Sequence, residues 1–257
     1  MAQDMVGRDE LLRAIERGEM CAHYQPIVSL TTGAMVGCEA LVRWQHPERG
    51  LLSPWAFLPA LAAHDLEVAL DWHLLGAVCA QVAAWGRVRD GRHLAINVNV
   101  DPRQFAAPDF VERWLAAVAG AGLPAEAVRP EVPREALDQP CTAAHLAALR
   151  AGGVGVYFDD ARPEDAPLLR EHGGGLVAVK LDHHLARDLV PGAAGHAPLR
   201  AIADQARAMG LALVAEAIEE EAQIAGALDL GCAVAQGYLF SKPLDAATLT
   251  ARLAGHP

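Results

Sequence analysis

Two periodicities alternate along the chain: short runs in which apolar residues dominate or recur every second position, and longer stretches in which they recur every third or fourth. The first stretch, over 9–17, predicts an amphipathic helix. A strand pattern over 22–30, the turn Thr31-Thr32-Gly33 and a second strand over 34–44 follow. A turn that short leaves no room for a crossover helix, so these two strands must run antiparallel. Thereafter helical and strand patterns take turns. Helices over 54–64 and 67–85 lead to a strand over 93–100, helix 109–121 to strand 127–132, and helix 142–151 to strand 154–160. A short helix at 164–171 precedes strand 176–182, helix 199–209 precedes strand 211–218, and helix 220–230 precedes strand 233–238, with a closing helix over 245–253. Eight strands alternating with helices predict an α/β fold, a TIM-like (β/α)8 barrel with one antiparallel strand near the N-terminus. A length of 257 residues suits one such barrel, so a single domain over 1–257 is expected.

Charge narrows the function classes. The formal net charge is −11, which argues against binding polymeric nucleic acid or an anionic membrane surface, since both rest on a basic footprint. Any phosphate ligand therefore needs a local cationic site. Cys21, Cys38, Cys79, Cys141 and Cys232 are scattered and show no metal-ligand spacing, as expected of reduced thiols in a cytoplasmic protein. The longest apolar stretch, 74–85, is interrupted by Gln81 and reads as a buried helix rather than a membrane span.

The polar residues within or closing the strand patterns are Glu39, Asn99, Glu131, Asp159 with Asp160, Lys180, Glu216 and Gln236. In a barrel of this type the chemistry sits where strands end. Glu39, Asn99, Glu131, Asp159 and Asp160 offer oxygen donors without sulfur or imidazole, a set suited to hard divalent cations, Mg2+ or Mn2+. Four of these five are carboxylates, enough for a two-metal site. The pair His183-His184 reads as surface or packing rather than ligation. Trp72, Trp85 and Trp114 fall on helical stretches and read as core or interface anchors.

Glu39-Ala40-Leu41-Val42-Arg43, preceded by Tyr24-Gln25-Pro26-Ile27 and followed by Gln45-His46-Pro47 and Leu52-Ser53-Pro54, resembles the EAL domain family of cyclic di-GMP phosphodiesterases. The likeness continues through Asn99 to Phe105, Glu131-Val132-Pro133, Asp159-Asp160, Lys180-Leu181-Asp182, Ala215 to Glu219, and Gln236 to Phe240 with Pro243. The resemblance implies metal-dependent opening of cyclic di-GMP to the linear dinucleotide. It assigns metal ligation to Glu39, Asn99, Glu131, Asp159, Asp160 and Glu216, and catalysis to Glu39, Lys180 and Glu216. Lys180 would position or polarise the attacking water. Ligand contacts fall to Gln25, Leu41, Arg43, Pro54, Gln236, Phe240 and Pro243, with Glu219 and Asp182 supporting. A homodimer and a sensor or signalling partner domain are further expectations of the resemblance.

The chain departs from the family pattern after the aspartate pair, where Phe-Gly-Thr-Gly is replaced by Ala161-Arg162-Pro163-Glu164, so backbone freedom open to glycine is lost. Arg134 stands where the family commonly has a glutamate that braces this loop, and a pair between Arg134 and Glu164 would restore a brace with reversed charges. Asp101, Pro133 and Ala217 replace Ser, Thr and Gly. These departures keep two other readings in play: a cyclic di-GMP receptor without turnover, and a protein-interaction module.

Overall fold

A computed structural model describes residues 6–88, 93–190, 193 and 195–254. Nine strands form one sheet: β1 Met20–Ser29, β2 Met35–His46, β3 Gly50–Leu52, β4 Ala95–Asn99, β5 Val128–Val132, β6 Val156–Ala161, β7 Leu176–Leu181, β8 Ala212–Ala215 and β9 Val234–Ala235. Their order is β1-β9-β8-β7-β6-β5-β4-β2-β3, and pairing of β1 with β2 closes an eight-stranded barrel to which β3 is appended. β1 runs antiparallel to both its neighbours, and the rest of the barrel is parallel. The reversed strand is thus the one the short turn requires. Gly33 takes the left-handed conformation (φ 70°), and the Ser29 N–H donates to the Ala34 carbonyl at 2.9 Å.

The structure shortens or divides several expected elements, each for a local reason. β3 is three residues long, too short to show a period, and was not expected. The helical pattern over 54–64 splits into a 3-10 turn, Pro54–Ala56, and a short helix, Leu58–Ala63, because Phe57 (φ −138°) leaves the helical region between them. The strand expected to reach 218 stops at Ala215, since Ala217 adopts φ 50°. The strand expected over 233–238 keeps only Val234–Ala235 and then turns at Gly237. A Cβ on Gly237 would lie 2.1 Å from the Ile218 carbonyl oxygen, so only glycine lets the two segments touch there.

Helices cover the barrel. The first three are α1 Arg8–Glu16, α2 Leu58–Ala63 and α3 Glu67–Val88. Helix α3 is longer than its pattern suggests and is long and apolar enough to cross a membrane by length and composition. Leu70, Leu75, Val78, Cys79, Val82 and Trp85 on it are buried, and it packs on β1 and β4. Trp85 meets Tyr24 of β1 edge-on at 4.7 Å. Trp85 and Trp114 are core residues, and Trp72, partly buried, packs against the core beside Phe110. The strand register then places the polar residues: Glu39 lies beside Asn97, Asn99 beside Glu131, and Gln25 across from Glu39.

Candidate active site

Lys180, at the end of β7, is 1% exposed, and its ammonium group meets one carboxylate from each of four other segments. Nζ lies 3.0 Å from Glu39 Oε2, 2.8 Å from Glu131 Oε2, 3.1 Å from Asp159 Oδ1 and 2.8 Å from Glu216 Oε1. The neighbours of the cation are themselves held. Asn99 Nδ2 donates to Glu39 Oε1 at 2.8 Å, Asn97 Nδ2 to Glu131 Oε1 at 2.8 Å, and Gln236 Nε2 to Glu39 Oε2 at 2.5 Å and Glu216 Oε1 at 2.8 Å. Asn97 was missed in the sequence, although it precedes Asn99 by one strand period and so faces the same interior.

The electrostatics follow from one ammonium facing several acids in a poorly solvated space. Burial alone would lower the Lys180 pKa, but Asp159, Glu131, Glu216 and Glu39 together outweigh it and hold the ammonium well above its ordinary value. Burial would raise Glu39. The charge of Lys180 and hydrogen bonds from Gln236, Asn99 and Lys180 reverse that and keep its carboxyl below the ordinary range. Glu131 is pushed well up by burial and then by repulsion from Glu39, with Lys180 opposing. Burial likewise raises Asp159 and Glu216 against the pull of Lys180.

This donor set fits divalent cations. An ammonium group has three N–H donors, so it cannot satisfy four carboxylates at once. Asp159 Oδ1 is accordingly buried without a hydrogen bond of proper geometry. Ligand oxygens of Asp159, Asp160 and Glu216 also lie within 4.8 Å of one another. Further positive charge is what such a cluster lacks, and oxygen donors suit hard cations.

Asp160 stands apart from the buried four. Its backbone is left-handed (φ 48°), its side chain is about half exposed, and Oδ1 lies 2.9 Å from His183 Nδ1. The His183 ring lies against that of His184, with centroids 3.9 Å apart and planes tilted by 41°. The altered loop is pinned at two points. Arg162 pairs with buried Asp182, which also accepts the His184 N–H at 2.7 Å. Arg134 pairs with buried Asp165 and lies 3.7 Å from Asp138, so the expected Arg134–Glu164 pair is replaced by one a residue further on. The reason is visible at Asp165, whose other oxygen accepts the Arg162 N–H at 2.9 Å, fixing the carboxylate toward Arg134 while Glu164 turns outward.

The cluster opens into a cleft of about 800 Å³ lined in part by Gln25, Leu41, Pro54, Glu219 and Gln236. Arg43, Phe240 and Pro243 are not among the lining residues. The Arg43 guanidinium donates to the Val42 carbonyl at 2.7 Å, and Phe240 packs against the barrel core. The Glu219 N–H donates to Gln223 Oε1 at 2.7 Å, which anchors the start of the following helix. Trp55, Asp71 and His183 are among the lining residues that strand patterns do not signal. Asp71, on α3, accepts the Asp101 N–H at 2.9 Å.

Burial pushes the Asp71 carboxyl up to about 7, with Asp101 N–H opposing and the charges of Asp101 and Glu67 adding. A raised acid binds its proton more tightly in the folded state, so its contribution to stability is complete below about pH 4 and is lost as pH rises through about 7. Asp71→Asn keeps the acceptor for Asp101 and removes this titration. The native protein is therefore expected to lose more melting temperature than the variant between pH 4 and 7.5, and parallel profiles in calorimetry would refute the assignment. A second expectation concerns Ala217, whose left-handed backbone costs a residue with a Cβ about 1 kcal/mol. Ala217→Gly should raise stability by about that amount in urea melts. An unchanged or lower midpoint would mean that the methyl's contacts outweigh the strain.

Comparison with known proteins identifies the family, since the EAL domain model matches residues 8–243. The chain belongs to the EAL domain family. It is 33% identical over 249 residues to the bifunctional diguanylate cyclase/cyclic di-GMP phosphodiesterase MucR of Pseudomonas aeruginosa, covering 95% of this chain and 36% of MucR. It is 30% identical over 237 residues to the cyclic di-GMP phosphodiesterase RocR of the same organism, covering 91% of this chain and 60% of RocR. The chain thus spans between about a third and three-fifths of these relatives. A solved structure of the MucR phosphodiesterase in complex with cyclic di-GMP superposes with a TM-score of 0.82 at 31% identity, covering 94% of this chain and 98% of that one. Within this EAL domain Glu39, Asn99, Glu131, Asp159, Lys180, Glu216 and Gln236 form one cluster, and Arg162 ties the altered loop to Asp182, two residues beyond Lys180.

Proposed function

We propose that this EAL domain hydrolyses cyclic di-GMP to the linear dinucleotide, using Mg2+ or Mn2+ held by Glu39, Asn99, Glu131, Asp159, Asp160 and Glu216. The observation that carries this reading is the convergence of Glu39, Glu131, Asp159 and Glu216 on one buried ammonium at the polar end of a nucleotide-sized cleft. Divalent cations bound there lower the pKa of water and neutralise phosphate charge. With the cations taking up carboxylate oxygens that it now contacts, Lys180 would be released to place an N–H donor and positive charge beside the water or the phosphodiester oxygen. Gln236 locks Glu39 and Glu216 in one orientation, and Asn99 and Asn97 do the same for Glu39 and Glu131. Gln25, Leu41 and Pro54 supply the cleft wall against which the ligand lies.

MucR and RocR, which carry cyclic di-GMP phosphodiesterase in their names, support the substrate class. The test is incubation of the protein with cyclic di-GMP and either cation, followed by chromatography. Linear dinucleotide is expected with Mg2+ or Mn2+ and none with excess chelator. A second reading, binding without turnover, draws on Asp160, whose carboxylate is engaged by His183. Tight binding with no product under either cation would favour it over hydrolysis.

A further inference from the structure

Trp55 is 84% exposed, the most exposed of the large apolar side chains among the described residues, yet nothing about its setting is loose. It lies in the 3-10 turn Pro54–Ala56, where Pro54 fixes one backbone angle and Ala56 N–H and Phe57 N–H donate to the Ser53 and Pro54 carbonyls at 3.0 and 3.1 Å. The next residue, Phe57, is fully buried and meets Trp44 edge-on at 5.9 Å. A rigid turn thus holds a large indole in water on the wall of the same cleft that contains Glu39, Asn99 and Lys180. Tyr238, the cleft's other exposed aromatic, has Lys242 Nζ 5.7 Å from its ring centre. Among the described residues no ring contact or cation contact engages Trp55.

We propose that Trp55 is the stacking platform for one guanine base of the cyclic dinucleotide, and so a substrate-positioning residue of this cleft. The inference rests on the proposed substrate and adds a residue that the family's motifs do not signal. The chemistry selects the base over the phosphates. The face of an indole is electron-rich and repels phosphate oxygens, whereas the flat face of a purine stacks on it over a large area. The acids and Lys180 occupy the polar end of the cleft, and Leu41, Leu58, Leu70 and Leu74 line the apolar remainder. A ligand with two phosphates at the acidic end would carry a base toward that apolar wall. Pre-orientation by the turn lowers the entropy lost when the base docks.

Trp55→Ala and Trp55→Phe are compared with the native protein in two assays. In steady-state hydrolysis with Mn2+, Trp55→Ala is expected to raise KM about 5- to 100-fold with kcat within about twofold, because a base stacked equally in ground and transition states contributes uniform binding. Trp55→Phe should recover most of the loss. In stopped-flow mixing with Mn2+, before turnover, cyclic di-GMP should quench the native tryptophan fluorescence and leave that of Trp55→Phe unchanged. A KM for Trp55→Ala within about twofold of native overturns the proposal. If the native protein forms no product, the hydrolase reading fails and a binding titration with Mn2+ on all three proteins decides alone. Affinity weakened by the same factor in Trp55→Ala supports stacking, while equal affinity, or no binding by the native protein, overturns it.

Discussion

Replacing Lys180 by methionine should cost about 3–5 kcal/mol of stability in chelator, since removing one partner of a buried ionic cluster leaves the others uncompensated. The size of the effect follows from the count of charges. Among the described residues Lys180 is the cation paired with Glu39, Glu131, Asp159 and Glu216, and none of the five side chains is more than 15% exposed. Methionine fills a similar volume, so lost packing contributes little. Two dependences separate this account from simple core damage. Acid should reduce the deficit, because carboxylates deprived of the ammonium take up protons and become neutral. Millimolar Mn2+ should also reduce it, since a divalent cation bound among the same oxygens supplies the missing charge and favours the folded state by mass action. Urea melts of both proteins, with chelator and with Mn2+, read these directly. A deficit that is independent of both pH and cation would show that Lys180 acts through packing and that the acids are not its charge partners.

Glu39→Ala should lower product formation on the order of 10³-fold at a smaller cost in stability than Lys180→Met. Glu39 accepts hydrogen bonds from Asn99, Lys180 and Gln236, so its loss releases three groups that fix the cluster. It is also the largest charge raising the pKa of Glu131, and removing it relieves that repulsion. Lys180 keeps Glu131, Asp159 and Glu216 as partners. Chromatography for the linear dinucleotide and a thermal melt on the same preparation test both halves. Retained activity would remove Glu39 from the mechanism, and a collapse of the melting temperature would make it a structural residue. A smaller stability cost at Glu39 than at Lys180 is what a cluster with excess negative charge requires.

The strand-borne part of this site was legible in the chain because a charged or amide residue in an apolar strand has few ways to be satisfied. Glu39, Asn99, Glu131, Asp159, Asp160, Lys180, Glu216 and Gln236 are legible on that ground, and the structure brings all of them except Asp160 into direct or shared contact around Lys180. Asn97 is legible only from the period of the strand, which places it on the same face as Asn99. Trp55 and Asp71 gave no such signal. On a loop and a helix an aromatic or an acid has an ordinary use at the surface, and only the folding of Pro54–Ala56 and α3 over the barrel mouth puts both in the cleft.

The hydrophobic periods and one three-residue turn determined the architecture, because a strand that returns without a crossover must be antiparallel and seven further strands with helices between them have one way to close. Sequence also determined which acids are forced inward. Tertiary structure decided how they share one cation, that Asp160 turns to His183, and that Arg134 meets Asp165 instead of Glu164. Those choices depend on left-handed backbone at Asp160, on the Asp165 cap of Arg162, and on distances across the barrel. A linear pattern of residue types carries none of the three, since each is set by where distant segments come to lie against one another.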